Sequence, residues 1–200
     1  MKPILLALFM VAAALPAMAA DAPREIAGLR LGDDIKQFQA KVEPGKTETE
    51  ITRPYVTTAA LAPVPGYRSG YVTYGNCASP GRILRIKMNY EDDSREFYEE
   101  ILAALKKRYG APQQWRGNPF GTLKIWKWSI KDKGLGDISV ILQHYSGDDD
   151  SFTKGNSIRI AASRLFKEEQ ACQKSRQPER QSPPAAPGAA GLDLEHFLPR

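Results

Sequence analysis

Residues 82–112 read RILRIKMNYEDDSREFYEEILAALKKRYGAP, and two patterns within them decide the fold class. In the first part every second residue is apolar, which predicts a strand with one buried face: Leu84, Ile86, Met88 and Tyr90. In the second part apolar residues recur at helical spacing, which predicts an amphipathic helix: Phe97, Tyr98, Ile101, Leu102, Leu105 and Tyr109. We expect Asp93, with Glu96 three residues later, to cap this helix, and Gly110 and Pro112 to end it.

The flanking sequence predicts further strands and two short helices. Strands are expected at about 68–74 and from Leu123, Ile138 and Ser157 onward, and the short glycine-containing turns between the last three predict an antiparallel meander. A short strand up to Leu31 precedes a helix capped by Asp33 or Asp34, and a last helix covers about 166–173. The proline-rich stretch 43–66 predicts a loop with one edge strand around 49–56. We therefore expect an α+β fold, with an antiparallel sheet of about four to six strands and helices packed on one face.

The two ends of the chain differ in composition from the middle. Residues 1–19 have a lysine, an apolar run and an Ala-x-Ala end, which predicts a signal peptide and a periplasmic or secreted protein. Residues 175–200 are rich in Pro, Ala and Gly, which predicts a disordered tail. The domain is then expected at 24–174. The apolar run is too short to span a bilayer and no second one follows, so we expect no membrane span.

The chain has 28 Lys and Arg residues against 23 Asp and Glu, a formal net charge of +5. This excess is modest and is spread along the sequence, which argues against a nucleic-acid partner. It is compatible with an acidic protein or an anionic envelope polymer as partner.

Cys77 and Cys172 are the only cysteines of the chain. In an exported protein two cysteines far apart in sequence are expected to pair, so we predict a disulfide between them. The alternatives are a free thiol, an intermolecular disulfide, and a catalytic thiol for which His144 and His196 are the available bases.

No catalytic signature is present in the sequence. The chain lacks a GxSxG elbow, an HExxH helix, a P-loop, a GxGxxG turn and a CxxC pair, and we expect neither a cofactor nor a metal. His144 alternates with Val140 and Leu142, which favours a partly buried histidine over a general base. The aspartates at 148–150 lack the spacing of a calcium loop and predict a solvated hairpin turn. The adjacent glutamates Glu168 and Glu169 predict a solvated helix face.

A polar surface on the sheet is the candidate binding site. If Leu84, Ile86 and Met88 point toward the helix, the pleat directs the alternate residues to the other side. In neighbouring strands the same alternation predicts one cationic surface with an aromatic side chain, formed by Arg85, Lys87, Lys127, Gln143, Tyr145 and Arg159. The simpler interpretation is a solvated face whose charges discourage edge pairing.

Three short motifs, GLRLGD at 28–33, RYGAP at 108–112 and WKWS at 126–129, carry a family resemblance. They resemble the small exported domains of the β-lactamase-inhibitor-like class, which includes outer-membrane assembly lipoproteins. The resemblance implies an antiparallel sheet with helices on one face, and a protein that binds rather than catalyses. We therefore expect an exported binding or assembly module of the bacterial cell envelope. The alternative is a periplasmic hydrolase that uses His144.

Overall fold

A computed structural model describes residues 21–176. The predicted signal peptide and all but the first two residues of the predicted tail lie outside the described residues. The chain forms ten strands: β1 (Glu25–Ile26), β2 (Leu29–Arg30), β3 (Val42–Thr49), β4 (Val56–Leu61), β5 (Tyr67–Gly75), β6 (Ile83–Tyr90), β7 (Gln114–Gly117), β8 (Leu123–Asp132), β9 (Gly136–Tyr145) and β10 (Gly155–Ala162). The helices are α1 (Arg95–Tyr109), α2 (Ser163–Arg176) and a 3-10 helix at Ile35–Lys41.

Eight strands form one antiparallel sheet in the order β3-β4-β5-β6-β10-β9-β8-β7, and β1 and β2 form a separate pair. The sheet consists of two four-stranded meanders, β3 to β6 and β7 to β10, which join in the centre where β6 pairs with β10. The prediction of an antiparallel sheet is confirmed, and the prediction of four to six strands is wrong.

The additional strands come from segments with weak strand signals. Residues 43–66, predicted to be mainly loop, hold part of β3 and all of β4, because the two strands pair in an edge hairpin in which Thr49 lies opposite Thr57. Pro44 is tolerated because β3 is the outermost strand, where a missing N–H breaks no ladder hydrogen bond. Strand β7 was not predicted, and it forms by pairing with β8 at the opposite edge.

Helix α1 covers one face of the sheet. The Trp128 indole N–H donates to the Gly110 carbonyl at 2.9 Å, and the rings of Tyr98 and His144 lie 5.4 Å apart. Gly110 ends the helix with φ of 76°. The cap is Ser94 rather than the predicted Asp93, because the Ser94 hydroxyl accepts the N–H of Phe97. Beneath α1 lies the main core, whose fully buried side chains include Ile86, Met88, Trp128, Leu142 and Ile160.

Helix α2 is longer than the predicted 166–173 and lies along the end of the sheet. Its Phe166 ring reaches the face opposite α1, where the Arg85 guanidinium lies 5.7 Å from the ring centroid. The helix carries Cys172 to the β5–β6 loop, and the predicted disulfide to Cys77 is present with an Sγ–Sγ distance of 2.03 Å. The middle of the face opposite α1, here called the open face, is covered by neither helix.

Candidate functional site

The open face carries a row of side chains that crosses the central strands. Lys87 on β6 lies directly opposite Arg159 on β10, Arg159 lies opposite Ile141 on β9, and Ile141 lies opposite Lys127 on β8. These residues belong to the set that alternates with the core residues, so the pleat directs their side chains away from α1. The sheet register thus brings residues from distant parts of the sequence into one line.

This row forms the floor of an open cleft with a volume of about 450 Å³. Phe152, in the loop between β9 and β10, lines one side, and Ser163 at the start of α2 lines the other. The loop is held against the sheet by Thr153, whose hydroxyl accepts from the Lys87 ammonium at 2.7 Å and whose carbonyl accepts from the Gln143 amide at 3.3 Å. We call this site the cationic cleft, and its lining residues are Lys87, Gln114, Arg116, Ile125, Lys127, Ser139, Ile141, Gln143, Phe152, Ser157, Arg159 and Ser163.

Lys87 and Arg159 are two like charges in cross-strand register, which is an unfavourable arrangement in a sheet. Within residues 21–176, neither side chain has a carboxylate oxygen within salt-bridge distance. Burial lowers the pKa of Lys87, and repulsion by Arg159, Arg85 and Arg68 lowers it further. Burial and the positive charges of Arg85 and Arg53 also lower the pKa of Arg159. The pair therefore holds positive charge that the described chain leaves uncompensated.

Arg85 lies on the same face as this pair, but its charge is compensated. Its guanidinium donates to the Glu50 carboxylate at 2.6 Å and to the Thr73 hydroxyl at 2.9 Å. Burial lowers the pKa of Arg85, and the Glu50 carboxylate opposes that shift. Arg85 thus holds the 50–55 turn against the sheet, and the Glu50 carboxylate offsets its positive charge.

Five of the six predicted surface residues lie on the open face in accessible or partly accessible positions, and four of them line the cleft: Lys87, Lys127, Gln143 and Arg159. Tyr145 has the expected alternation but is only 3% exposed, and its ring centroid lies 5.5 Å from that of Phe152. The prediction of Tyr145 as the surface aromatic is therefore wrong. The aromatic side chain of the cleft is Phe152, which is 41% exposed.

Several lining residues of the cleft were not predicted from the sequence. Ile125 and Ile141 share the alternation of Lys127 and Gln143, so this pattern already placed them on the same face. Arg116 had no such signal, because β7 becomes recognisable only through its pairing with β8.

His144 lies on the opposite face, beneath α1, and is 6% exposed. Its Nδ1 is hydrogen-bonded to the Asn156 side-chain oxygen at 2.7 Å, and the Asn156 amide donates to the carbonyls of Asp92 and Ser94. Within residues 21–176, neither a serine hydroxyl nor a carboxylate is hydrogen-bonded to the ring of His144. This arrangement positions the start of α1 and does not resemble a nucleophile with its base.

Two further features concern the described chain as a whole. No three His, Cys, Asp or Glu side chains of residues 21–176 come together in a way that would hold a metal ion. Neither α1 nor α2 has the length and apolar composition that a bilayer crossing needs.

The aspartates at 148–150 are exposed in the β9–β10 loop, as predicted.

A comparison of the chain with protein-family models, with curated proteins and with solved structures found no match. The resemblance to β-lactamase-inhibitor-like domains stays a prediction that rests on the motifs at 28–33, 108–112 and 126–129.

Proposed function

We propose that this chain is a binding module that takes an anionic ligand in the cationic cleft. The observation that carries the proposal is the cross-strand pair of Lys87 and Arg159, which has no carboxylate partner within residues 21–176. Partly burying two adjacent cations costs free energy, because desolvation and mutual repulsion both disfavour the charged forms. An anion bound between them offsets both costs and gains charge-assisted hydrogen bonds.

The lining favours binding over catalysis. Among the described residues that form the cleft there is no carboxylate, imidazole or thiol, which are the side chains that most often act as general acids, bases or nucleophiles. The serines of the lining, Ser139, Ser157 and Ser163, have no histidine or carboxylate among the described lining residues to accept a proton. The hydrolase alternative loses support for the same reason, because His144 lies on the other side of the sheet.

The expected setting of this function is the bacterial cell envelope. It follows from the predicted signal peptide and agrees with the disulfide between Cys77 and Cys172, since such bonds persist in oxidising compartments. The partner would then be an acidic protein or an anionic polymer of that compartment.

Binding of fluorescein-labelled polyglutamate and of inorganic polyphosphate to the oxidised full-length chain tests the proposal. We expect the affinity for at least one of these probes to fall as salt is raised, and to fall about tenfold or more in the Lys87→Gln/Arg159→Gln double variant. The matched control is Lys107→Gln/Arg108→Gln, which removes two exposed charges from α1 on the other side of the sheet. An equal effect of the control would show that binding follows net charge alone, and it would refute the cleft as the site.

Stability provides a second readout that separates binding from a structural role. Arg159 makes no hydrogen bond or salt bridge through its side chain within the described residues, so Arg159→Gln removes repulsion without removing a partner. We expect its free energy of unfolding to stay the same or to rise by up to about 1 kcal/mol. A large destabilisation would mean that Arg159 supports the fold rather than a ligand.

A further inference from the structure

The positive charge of the cleft is divided between two poles. Lys87 and Arg159, on β6 and β10, form the first pole. Lys127 and Arg116, on β8 and β7, form the second. Strand β9 lies between the poles, so a ligand that reaches both must cross it.

The floor between the two poles is apolar. Ile141 lies in the row between Arg159 and Lys127, and Ile125 lies one row further along β8. Phe152 lines the same cleft from the β9–β10 loop. A charged group above this strip would lose hydration without gaining a partner, so the middle of the ligand should be apolar.

The spacing of the strands sets the size of the ligand. Neighbouring strands lie about 4.8 Å apart, so β10 and β8 are separated by about 10 Å and β6 and β7 by about 19 Å. A single phosphate or carboxylate is too small to bridge the poles. An extended peptide advances about 3.3 Å per residue, so acidic side chains four residues apart are about 13 Å apart on the same side of the chain.

The polar side chains of the lining suit a peptide backbone. Gln114 and Gln143 each present an amide that both donates and accepts hydrogen bonds, and Ser139 and Ser157 add hydroxyls with the same capacity. A polymer with a uniform row of phosphates would place charge over Ile141. A sugar chain typically binds by stacking its rings on aromatic side chains, and the floor of this cleft has isoleucines instead.

We propose that the ligand is an extended acidic segment of a polypeptide that crosses the strands, with one carboxylate at each pole and an apolar side chain on the Ile141–Ile125 strip. This inference rests on the proposed function, because it names the class of anionic partner for the same cleft.

A pair of labelled seven-residue peptides tests this inference by fluorescence anisotropy with the oxidised full-length chain. The first peptide has glutamates at its second and sixth positions, leucine at its fourth and serine elsewhere. Its isomer has glutamates at the second and fourth positions and leucine at the sixth. Both have the same charge and composition, and only the first presents the acidic–apolar–acidic order on one side. We expect the first peptide to bind about tenfold more tightly than its isomer.

Variants of the cleft sharpen the test. Lys127→Gln removes one charge of the second pole, and Ile141→Thr removes apolar surface from the strip while it keeps a β-branched side chain in the strand. We expect both variants to weaken binding of the first peptide about threefold to tenfold and to reduce its preference over the isomer, and Lys107→Gln to change neither.

The outcomes separate this inference from the proposed function. Equal affinities for the two peptides, or binding of polyphosphate with none of the peptide, would overturn the peptide inference and leave the cleft as an anion site. If neither peptide, polyglutamate nor polyphosphate binds in a manner that depends on Lys87 and Arg159, both proposals fail.

Discussion

The Glu169 carboxylate of α2 accepts a hydrogen bond from the backbone N–H of Cys77 at 2.7 Å. The same carboxylate accepts the N–H groups of Ala78 and Ser79 at 3.1 Å and 2.7 Å. Glu169 is only 1% exposed, so the predicted solvated position for this side chain is wrong. Gly75 is required beside it, because a Cβ there would collide with the carboxylate. One turn later on α2, Cys172 forms its disulfide with Cys77, so a charged contact and a covalent bond fix the same loop.

Glu169→Ala should destabilise the fold by about 2–4 kcal/mol, because it leaves three backbone N–H groups of the 77–79 loop without their acceptor. Glu169→Gln should cost less, since the amide keeps one acceptor oxygen. Urea unfolding of the oxidised protein measures both effects. The matched control is Glu168→Ala, which removes a neighbouring exposed carboxylate and should change stability by less than about 0.5 kcal/mol. Equal losses for Glu168→Ala and Glu169→Ala would contradict the role of the buried carboxylate.

Cys77→Ser and Cys172→Ser should lower the unfolding midpoint by the same amount, and the double variant should lower it no further. The bond closes a loop with a sequence separation of 95 residues. The chain-entropy model gives a contribution of up to about 4 to 5 kcal/mol for such a loop. Because Glu169 and the disulfide hold the same loop, the effects of Glu169→Ala and Cys172→Ser should not add. Additive losses, or a native protein with a free thiol, would count against this coupling.

The sequence predicted the elements whose pattern is local. Residues 82–112 carry both a strand alternation and a helical repeat, and they form β6 and α1 as expected. Strands β8 to β10 have the same alternation with short turns between them, and they form the predicted meander. The partner of Cys77 followed from the number of cysteines and the predicted compartment.

The sequence could not predict features that depend on distant partners. Strand β7 has only four residues and exists through its pairing with β8. Glu169 is buried because the backbone of a loop about 90 residues earlier supplies its donors, and backbone groups leave no signature in the sequence. The alternation placed Arg85 on the correct face of the sheet. It did not reveal the ion pair with Glu50, because Glu50 lies 35 residues away in the sequence.

Tyr98→Phe should leave the protein as stable as the wild type or stabilise it by up to about 1 kcal/mol. Tyr98 is 1% exposed, and its hydroxyl has no hydrogen-bond partner within residues 21–176. Folding therefore removes the hydroxyl from water without a compensating hydrogen bond, which destabilises the folded state. Burial also raises the pKa of this hydroxyl. Thermal unfolding checks the sign, with Tyr109→Phe on the same helix as a partly buried control. A loss of more than about 1 kcal/mol in Tyr98→Phe would show that the hydroxyl has a partner in solution, such as a bound water.

Glu50→Gln should have opposite effects on stability and on ligand binding. Glu50 bonds the partly buried guanidinium of Arg85 and also pairs with Arg53 at 2.5 Å. Its loss should cost about 1–3 kcal/mol at pH 7, because Arg85 is left buried beside a neutral amide. The same change adds net positive charge next to Lys87 and Arg159, so the affinity for polyglutamate should rise. The matched control is Glu48→Gln, an exposed glutamate on β3.

The pH dependence of Glu50→Gln gives the most specific check on this ion pair. Burial raises the pKa of Glu50, but Arg85 and Arg53 outweigh it and the net pKa lies below its usual value. A carboxyl with a lowered pKa in the folded state contributes stability above its unfolded pKa, and the contribution is lost as the pH falls through the folded pKa. The difference in unfolding free energy between wild type and Glu50→Gln should therefore be full at pH 7 and shrink below about pH 4. Urea unfolding at pH 7, 4 and 3 measures it. A difference in unfolding free energy that stays constant over this pH range would mean that the variant acts through packing rather than through charge. An unchanged affinity for polyglutamate in Glu50→Gln would mean that the charges of Glu50 and Arg85 do not affect ligand binding in the cleft.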